Sequence, residues 1–498
     1  MPASFPQYVT EAINGPVADP PGVKLRNEGL KAKHPVVFVP GIVTCGLELW
    51  EGHQCAEGLF RKRLWGDTFR EAYKSCWTCS ADYFAPGYFV WAVLIANLAR
   101  IGYEEKTMYM AAYDWRLSFQ NTEVRDQTLS QIKSNIELMV ATNGGHKAVI
   151  VPHSMGAIYF LHFMKWVEVP APMGAVMNIG GPFLGVPKAL AALFSAEARD
   201  IAIARNNTSQ MSSHNDNQTM ESKGKHVNYG RMIAFGKDAA QKHSSDLKRI
   251  DFRGAVKGTN IAHNICDVWS EYYDMGVGGI KAVEEYKVYT AGDILDLLHF
   301  VAPKMMAHGG AHFSYGIAED LDDPMYSHYK YWSNPLETKL PNAPDMEVYS
   351  MYRVGIPTKR AYVYRQTPIA QCHIPFQIET SADEGNEGCL KNGVFTVDGD
   401  ETVPILSAGF MCAKGWRGRT RFNPWGIKTY LREYDHAPPA NLLEGRGTQS
   451  GAHVDIMGNF ALIKDIMRVA AGATGKDLGG DQVHSDIIKW SEKINLRL

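Results

Sequence analysis

The sequence predicts an α/β protein: a doubly wound, mainly parallel sheet interrupted by lid and cap insertions. Three observations carry this reading. Lys147-Ala-Val-Ile-Val-Pro-His-Ser-Met-Gly156 takes a strand-like stretch, Ala148 to Pro152, into Ser154 and straight into a helical pattern of Ala157, Ile158, Phe160, Leu161 and Met164. His34-Pro-Val-Val-Phe-Val-Pro-Gly41 is apolar without alternation, as a strand covered on both faces must be. Between and after these stretches, strand and helix signals alternate, the pattern of βαβ units.

Composition narrows the class before any motif is weighed. The chain has 498 residues, 45% hydrophobic and 11% aromatic, enough for a large core, so disorder is not expected. A net charge of −2 and the lack of a Lys/Arg stripe argue against nucleic acid as a partner. The dense basic cluster Arg61-Lys-Arg63 reads as a solvated turn before it reads as a headgroup contact. The best apolar run, Tyr88 to Ala99, is about 12 residues against the roughly 20 that a membrane span needs. The opening Met1-Pro-Ala-Ser-Phe-Pro lacks the basic start and apolar core of a signal peptide, and it suggests a shortened N-terminus. Eight cysteines in this length are not a disulfide scaffold. Cys76 and Cys79 form a C-x-x-C with no second pair at zinc spacing, so no metal is expected. In an oxidising lumen the early group Cys45, Cys55, Cys76 and Cys79 and the pair Cys372 and Cys389 can both close loops; in cytosol they would be plain thiols.

In chain order, residues 1–33 form a Pro-rich, then charged leader, and 34–204 the first half of the core. Within it the stretch 47–84 holds Trp50, Phe60, Trp65, Phe69 and Trp77 without a sustained period, as either local core or a lid that meets lipid. A buried helix is expected over Phe89–Arg100, a strand over Met108–Asp114, and one helix over Asn121–Thr142, stopped by Asn143-Gly-Gly. Gly174–Gly180 is a further strand. The Gly181-Pro-Phe-Leu-Gly185 loop after it lacks a phosphate-loop Lys-Ser/Thr and reads as sheet-end packing. Residues 205–225 are a polar low-complexity insert with sequons at Asn206, Asn207 and Asn217. A substrate-covering cap follows over 226–345, with a helical pattern at Ile294–Lys304. The second half of the core, 346–498, has strands at Met346–Tyr352 and Ala361–Tyr364 joined through Gly355-Ile-Pro-Thr358.

The chemistry centres on Ser154. Its strand–turn–helix context is that of the G-x-S-x-G nucleophile elbow of α/β hydrolases, with Pro152 in place of the first glycine. The bland alternative is a helix N-cap serine. A serine needs a base, and the base an acid that fixes its tautomer; in this fold the order is Ser, acid, His. Asp400 follows a Gly turn after the Val394–Val397 strand and is the expected acid, weighed against its neighbours Asp398 and Glu401. His453, in a small-residue loop before the helical pattern Ile456–Ala470, is the expected base. His436 competes with it, while His299, His308 and His312 precede the acid. Two backbone N–H groups must meet the oxyanion; those of Met155 and of Val43, or its neighbour Ile42, are expected.

Six ordered motifs then carry a family resemblance: the strand ending at Pro40-Gly41, Gly46-Leu-Glu-Leu-Trp-Glu-Gly52, Tyr113-Asp-Trp-Arg-Leu117, Pro152-His-Ser-Met-Gly156, Gly399-Asp-Glu-Thr-Val403 and Gly451-Ala-His453. Together they resemble the lecithin:cholesterol acyltransferase family, and within it the plant phospholipid:diacylglycerol acyltransferases, over nearly the whole chain. The resemblance implies an α/β-hydrolase-like fold and a Ser154–Asp400–His453 triad. It implies transfer of an acyl group from the sn-2 position of a phospholipid donor to diacylglycerol, giving triacylglycerol without acyl-CoA, cofactor or metal. It also implies a lid bearing Trp50 and work at an endoplasmic reticulum membrane or lipid-droplet surface. Relatives carry a basic tail and a transmembrane helix ahead of the catalytic part. They also have longer stretches at Cys76–Tyr83, Trp166–Val176 and after Arg205. A phospholipase or lipase with water as acceptor, and an inactive shortened form, are the rival expectations.

Overall fold

In the computed structural model of the chain, residues 19–42, 46–51, 76–80, 90–167, 172–189, 191, 298–299, 303–366, 376–378, 380–383, 390–438 and 447–498 are described. The polar insert 205–225, Val43, and most of the expected lid and cap stretches lie outside them. The described strands are β1 (Val36–Val39), β2 (Gly46–Glu51), β3 (Cys76–Ser80), β4 (Met108–Met110), β5 (Ala148–Pro152), β6 (Met173–Ile179), β7 (Glu347–Arg353), β8 (Ile356–Tyr362), β9 (Tyr364–Gln366), β10 (Phe376–Ile378), β11 (Leu390–Lys391), β12 (Val394–Gly399) and β13 (Lys428–Tyr434). The described helices are α1 (Pro21–Asn27), α2 (Ala92–Arg100), α3 (Phe119–Asp126), α4 (Thr128–Thr142), α5 (Met155–Trp166), α6 (Pro303–His312), α7 (Ile405–Phe410), α8 (Phe460–Ala470) and α9 (Ile487–Lys493).

Six strands form the central sheet in the order β13-β7-β6-β5-β1-β4, and every neighbouring pair is parallel. From β1 the chain moves out to β4 and crosses back to β5. It then continues outward through β6, β7 and β13. The direction therefore reverses between β1 and β5, and open α/β sheets bind ligands at the carboxyl ends of the strands at such a point. Both faces are covered, which is why β1 and β5 are apolar throughout. Val36, Phe38, Val149, Val151, Met177 and Met351 pack towards α1, α2 and α8. Val37, Val39, Ile150, Val176 and Val348 pack towards α4, α5, α7 and α9. A second, antiparallel sheet, β11-β12-β8, carries the expected acid turn, and β2 pairs with β3 antiparallel inside the expected lid stretch.

Several elements differ from the sequence reading. The helix expected over Asn121–Thr142 is two, broken at Gln127 with φ 54°. The Glu123 carboxylate accepts the Ser130 N–H at 2.9 Å, capping α4 from a side chain in α3, so the break needs no Gly or Pro. The strand read over Met108–Asp114 ends at Met110. Gly355-Ile-Pro-Thr358, read as a connector, is mostly the start of β8; β8 is an edge strand, where Pro357 is tolerated. The helical pattern expected over Ile456–Ala470, after His453, begins as a 3₁₀ turn at Asp455–Gly458 and continues as α8, N-capped by Asn459.

The turn from β5 into α5 is closed by glycines. A Cβ on Gly156 would stand 2.3 Å from the Val39 oxygen and 2.8 Å from the Pro40 oxygen, so the helix rests on the backbone of β1. A Cβ on Gly41 would stand 2.7 Å from the Ser154 Cβ. Pro152 is accommodated for a different reason. The amides of Val149 and His153 donate towards β1, to the oxygens of Pro35 and Val39, while those of Ala148 and Ser154 donate towards β6, to Pro172 and Ile179. Pro152 thus removes a donor only on the β6 side and leaves the β1 seam whole. Gly156→Ala is expected to cost about 1–3 kcal/mol, because backbone cannot move aside as a side chain can. A thermal midpoint equal to that of the unaltered chain would contradict this packing.

Candidate active site

Ser154 sits where β5 turns into α5, with φ 56° and ψ −127°. A non-glycine residue in such a conformation costs on the order of 1–3 kcal/mol and persists only where its surroundings fix it. Here they do: Ser154 N–H donates to Ile179 at 2.8 Å, His153 N–H to Val39 at 3.0 Å, and Ala157 N–H to the Ser154 carbonyl at 3.0 Å. The clamp lifts the Ser154 hydroxyl above the carboxyl edge of the sheet.

A chain of hydrogen bonds then runs from that hydroxyl across the sheet. Ser154 Oγ lies 2.8 Å from His453 Nε2, and His453 Nδ1 lies 2.7 Å from Asp400 Oδ2. The carboxylate favours the proton on Nδ1 and leaves the Nε2 lone pair for the serine hydroxyl. Asp400 is itself held: its Oδ1 accepts the Val403 N–H at 2.7 Å and the Thr402 N–H at 3.0 Å. The backbone repeats the link, with His453 N–H donating to the Asp400 carbonyl at 2.9 Å. His453 and Asp400 are 7% and 2% exposed, which screens the pair from water. Room for both rings and oxygens comes from Gly180, at φ 55°, where a Cβ would stand 3.0 Å from the imidazole and 3.1 Å from the carboxylate.

The competitors are placed elsewhere. Asp398 points into the turn between β7 and β8, where it accepts the Gly355 N–H; burial pushes its carboxyl up to about 6. Glu401 lies in the acid turn at φ 82°, its N–H donating to Thr358 Oγ1 at 2.9 Å. His436 accepts the Gly451 N–H through Nδ1 at 3.1 Å, supporting the His453 loop from behind; burial lowers its pKa. His299 and His308 are exposed and His312 half-buried, the last two on α6. Met155 is the first residue of α5, and its N–H donates to no acceptor among the described residues. A Cβ on Gly41 would stand 3.2 Å from that nitrogen, so the turn after β1, with Ile42, runs beside it. Val43 lies outside the described residues. Trp50 is a residue of β2, and its side chain is likewise outside them.

His153 was legible in the sequence only as part of the serine motif. In the structure it is fully buried and donates through Nε2 to the His453 carbonyl at 2.8 Å, with the rings 5.1 Å apart; Trp91 meets its other side edge-on at 6.3 Å. The residue before the serine therefore fixes the loop that carries the imidazole. Ser407 has a related part: its Oγ donates to the Gly185 carbonyl and accepts the Leu184 N–H, holding the glycine loop against α7.

A hydroxyl on a strained elbow, an imidazole with a fixed tautomer and a free N–H at the helix start are what acyl transfer through a serine needs. Strand order and elbow together make this an α/β-hydrolase-like protein. Within that class the chain belongs to the lecithin:cholesterol acyltransferase family, whose sequence profile matches residues 73–460. It is 62% identical to phospholipid:diacylglycerol acyltransferase 1 of Arabidopsis thaliana, over 100% of this chain and 89% of that one. It is 49% identical to the putative phospholipid:diacylglycerol acyltransferase 2 of the same plant, over 96% and 88% of the two chains. The phospholipid:diacylglycerol acyltransferase of Schizosaccharomyces pombe is 33% identical, over 95% and 78%.

Two outcomes follow from the acid turn. Asp400→Asn, which offers the imidazole the wrong partner, should slow labelling of Ser154 by a fluorophosphonate about 10³–10⁴-fold, whereas Asp398→Asn should slow it less than about 10-fold. Equal losses would mean that the acid is misassigned. Asp398 also carries a stability signature. Its folded pKa lies above the usual carboxylate value, so the folded state binds the extra proton and stability falls as pH rises from about 4 to about 6. Relative to the unaltered chain, Asp398→Asn should gain on the order of 3 kcal/mol across that window and nothing further above it. Urea midpoints at pH 4, 5, 6 and 7 measure this, and parallel curves for the two proteins would contradict it.

Proposed function

We propose that the chain is a phospholipid:diacylglycerol O-acyltransferase that works through an acyl-serine at Ser154. The observation that carries the reading is the 62% identity, along the full chain, to a protein of that name, together with the Ser154–His453–Asp400 hydrogen bonds. In the first half-reaction Ser154 Oγ attacks the sn-2 carbonyl carbon of the phospholipid while His453 Nε2 takes the hydroxyl proton. Asp400 steadies the imidazolium so formed. The negative oxygen of the tetrahedral intermediate meets the Met155 N–H and a second N–H from the turn after β1, that of Val43 or Ile42. The ester bond to the glycerol oxygen breaks, and His453 returns its proton to that oxygen as the lysophospholipid leaves. In the second half-reaction His453 takes the proton of the diacylglycerol hydroxyl, whose oxygen attacks the acyl-serine. Triacylglycerol departs and Ser154 recovers its proton.

Serine, histidine and aspartate serve water as readily as an alcohol, so acceptor choice falls to what covers the site. The stretch 47–84, with Trp50, is the lid in this reading: β2 begins at Gly46, immediately beyond the turn that carries the second oxyanion N–H. A closed, apolar cover keeps water from the acyl-serine and admits diacylglycerol. The enzyme works at the endoplasmic reticulum membrane or a lipid-droplet surface, where both lipids reside. Among the described residues no helix is long and apolar enough to cross a membrane.

Phosphatidylcholine labelled at sn-2, mixed with diacylglycerol in detergent micelles, tests the reading directly. Label is expected in triacylglycerol, and Ser154→Ala should abolish it. Label confined to free fatty acid would make the protein a phospholipase, and transfer that survives Ser154→Ala would remove the acyl-serine.

A further inference from the structure

Arg353 ends β7, at the carboxyl edge of the sheet, and is only 6% exposed. Burying a guanidinium is costly unless its donors are used. Yet Nε and Nη1 are both enclosed and make no hydrogen bond among the described residues. What surrounds the side chain is the machinery of the candidate site. Gly451, two residues before His453, lies so close that a Cβ there would stand 1.9 Å from Arg353 Cδ and 2.9 Å from Cγ. The backbone of the histidine loop therefore rests on the arginine stem. The head reaches Gly355, where a Cβ would stand 3.1 Å from Nη2.

The charges facing Arg353 come from three elements. Asp398 at the end of β12, Asp400 in the turn beyond it and Asp435 after β13 all draw on the guanidinium, against burial, which lowers its pKa to about 10. His436, also after β13, feels Arg353 as a like charge and Asp455 as an opposite one. Glu433 acts on Asp398 from within β13. Arg353 thus contributes a positive charge beside the carboxylates of the acid turn, with no hydrogen bond to Asp400 or His453.

We infer that Arg353 is a positioning residue: its stem is the floor of the His453 loop, and its charge balances the carboxylates of the acid turn and so opposes proton uptake by the site. The inference rests on the reading of Ser154, His453 and Asp400 as the reacting set, and it adds a residue that touches none of the reacting atoms. Stem and charge separate cleanly in variants. Arg353→Met keeps the stem and removes the charge, Arg353→Gln is a second neutral variant, and Arg353→Lys keeps the charge. Neither neutral side chain leaves an unmatched buried cation.

The experiment follows the rate of Ser154 labelling by a fluorophosphonate between pH 5 and pH 9 in the full chain, with folding checked by thermal melts. Without the nearby positive charge the site as a whole takes up a proton more readily, so the acidic limb of the profile should move up by about half to one pH unit in the Met and Gln variants. The Lys variant should restore it. A purely structural residue would change the plateau rate and leave the limb in place. If both neutral variants keep the limb of the unaltered chain, the inference is overturned while the serine reading stands. An unaltered chain that takes no label, or label that persists in Ser154→Ala, overturns the serine reading and the inference with it.

Discussion

The rest of the site depends on one steric constraint: three backbones meet at Ser154 with no room for a side chain between them. The turn after β1, the end of β5 and the first turn of α5 approach so closely that Gly41 and Gly156 could not carry even a methyl group without striking a neighbour. That contact bends the chain at Ser154 into a conformation it would not otherwise hold. It also brings the Met155 N–H beside the turn after β1, so the proposed nucleophile and the proposed oxyanion donor are set by the same contact. Sheet hydrogen bonds on both sides, to Val39 and Ile179, keep the strain from relaxing. Strand β5 is therefore built twice over, as core and as the mount for Ser154.

Asp400 and His453 are tied to this mount and to each other by backbone as well as side chain. The Asp400 carbonyl holds the His453 amide, the His453 carbonyl accepts from His153, and His153 adjoins the serine. A ring of contacts thus returns to its starting point, and displacing one member displaces the others. Gly180 and Gly451 are the places where this ring requires an absent side chain, the first for the imidazole and the second for the stem of Arg353.

Much of this was legible in the sequence because it is local. Uninterrupted apolar runs gave β1 and β5, a serine between strand and helix gave the elbow, and the order Ser154, Asp400, His453 picked one candidate of each type from many. The choice of Asp400 over Asp398 was narrower: two carboxylates flank one glycine, and strand pairing with β8 decides which of them turns to His453. What was not legible depends on tertiary partners. The break at Gln127 goes with a cap by Glu123 of α3 on the Ser130 amide of α4, seven residues on, and the sequence around it carries no breaker. Pro357 concealed β8 because only the edge position of that strand makes a proline harmless there. The parts of His153 and Arg353 arise from loops some 100 to 300 residues distant, at Gly451 and His453.

The sheet order has a consequence for how the chain is made. Ribosomal synthesis runs from the amino end, and domains fold as their segments emerge. Strands β1, β4, β5 and β6 are contiguous in the sheet and come first in the chain, so the elbow can assemble around Ser154 while β7, β12, β13 and α8 are still unmade. Throughout that interval Ser154 lacks both His453 and Asp400, its proposed base and acid. In the proposed mechanism, reactivity is delivered only when β7, β12, β13 and the loop carrying His453 dock against the growing edge, so the late segments are what arm the serine.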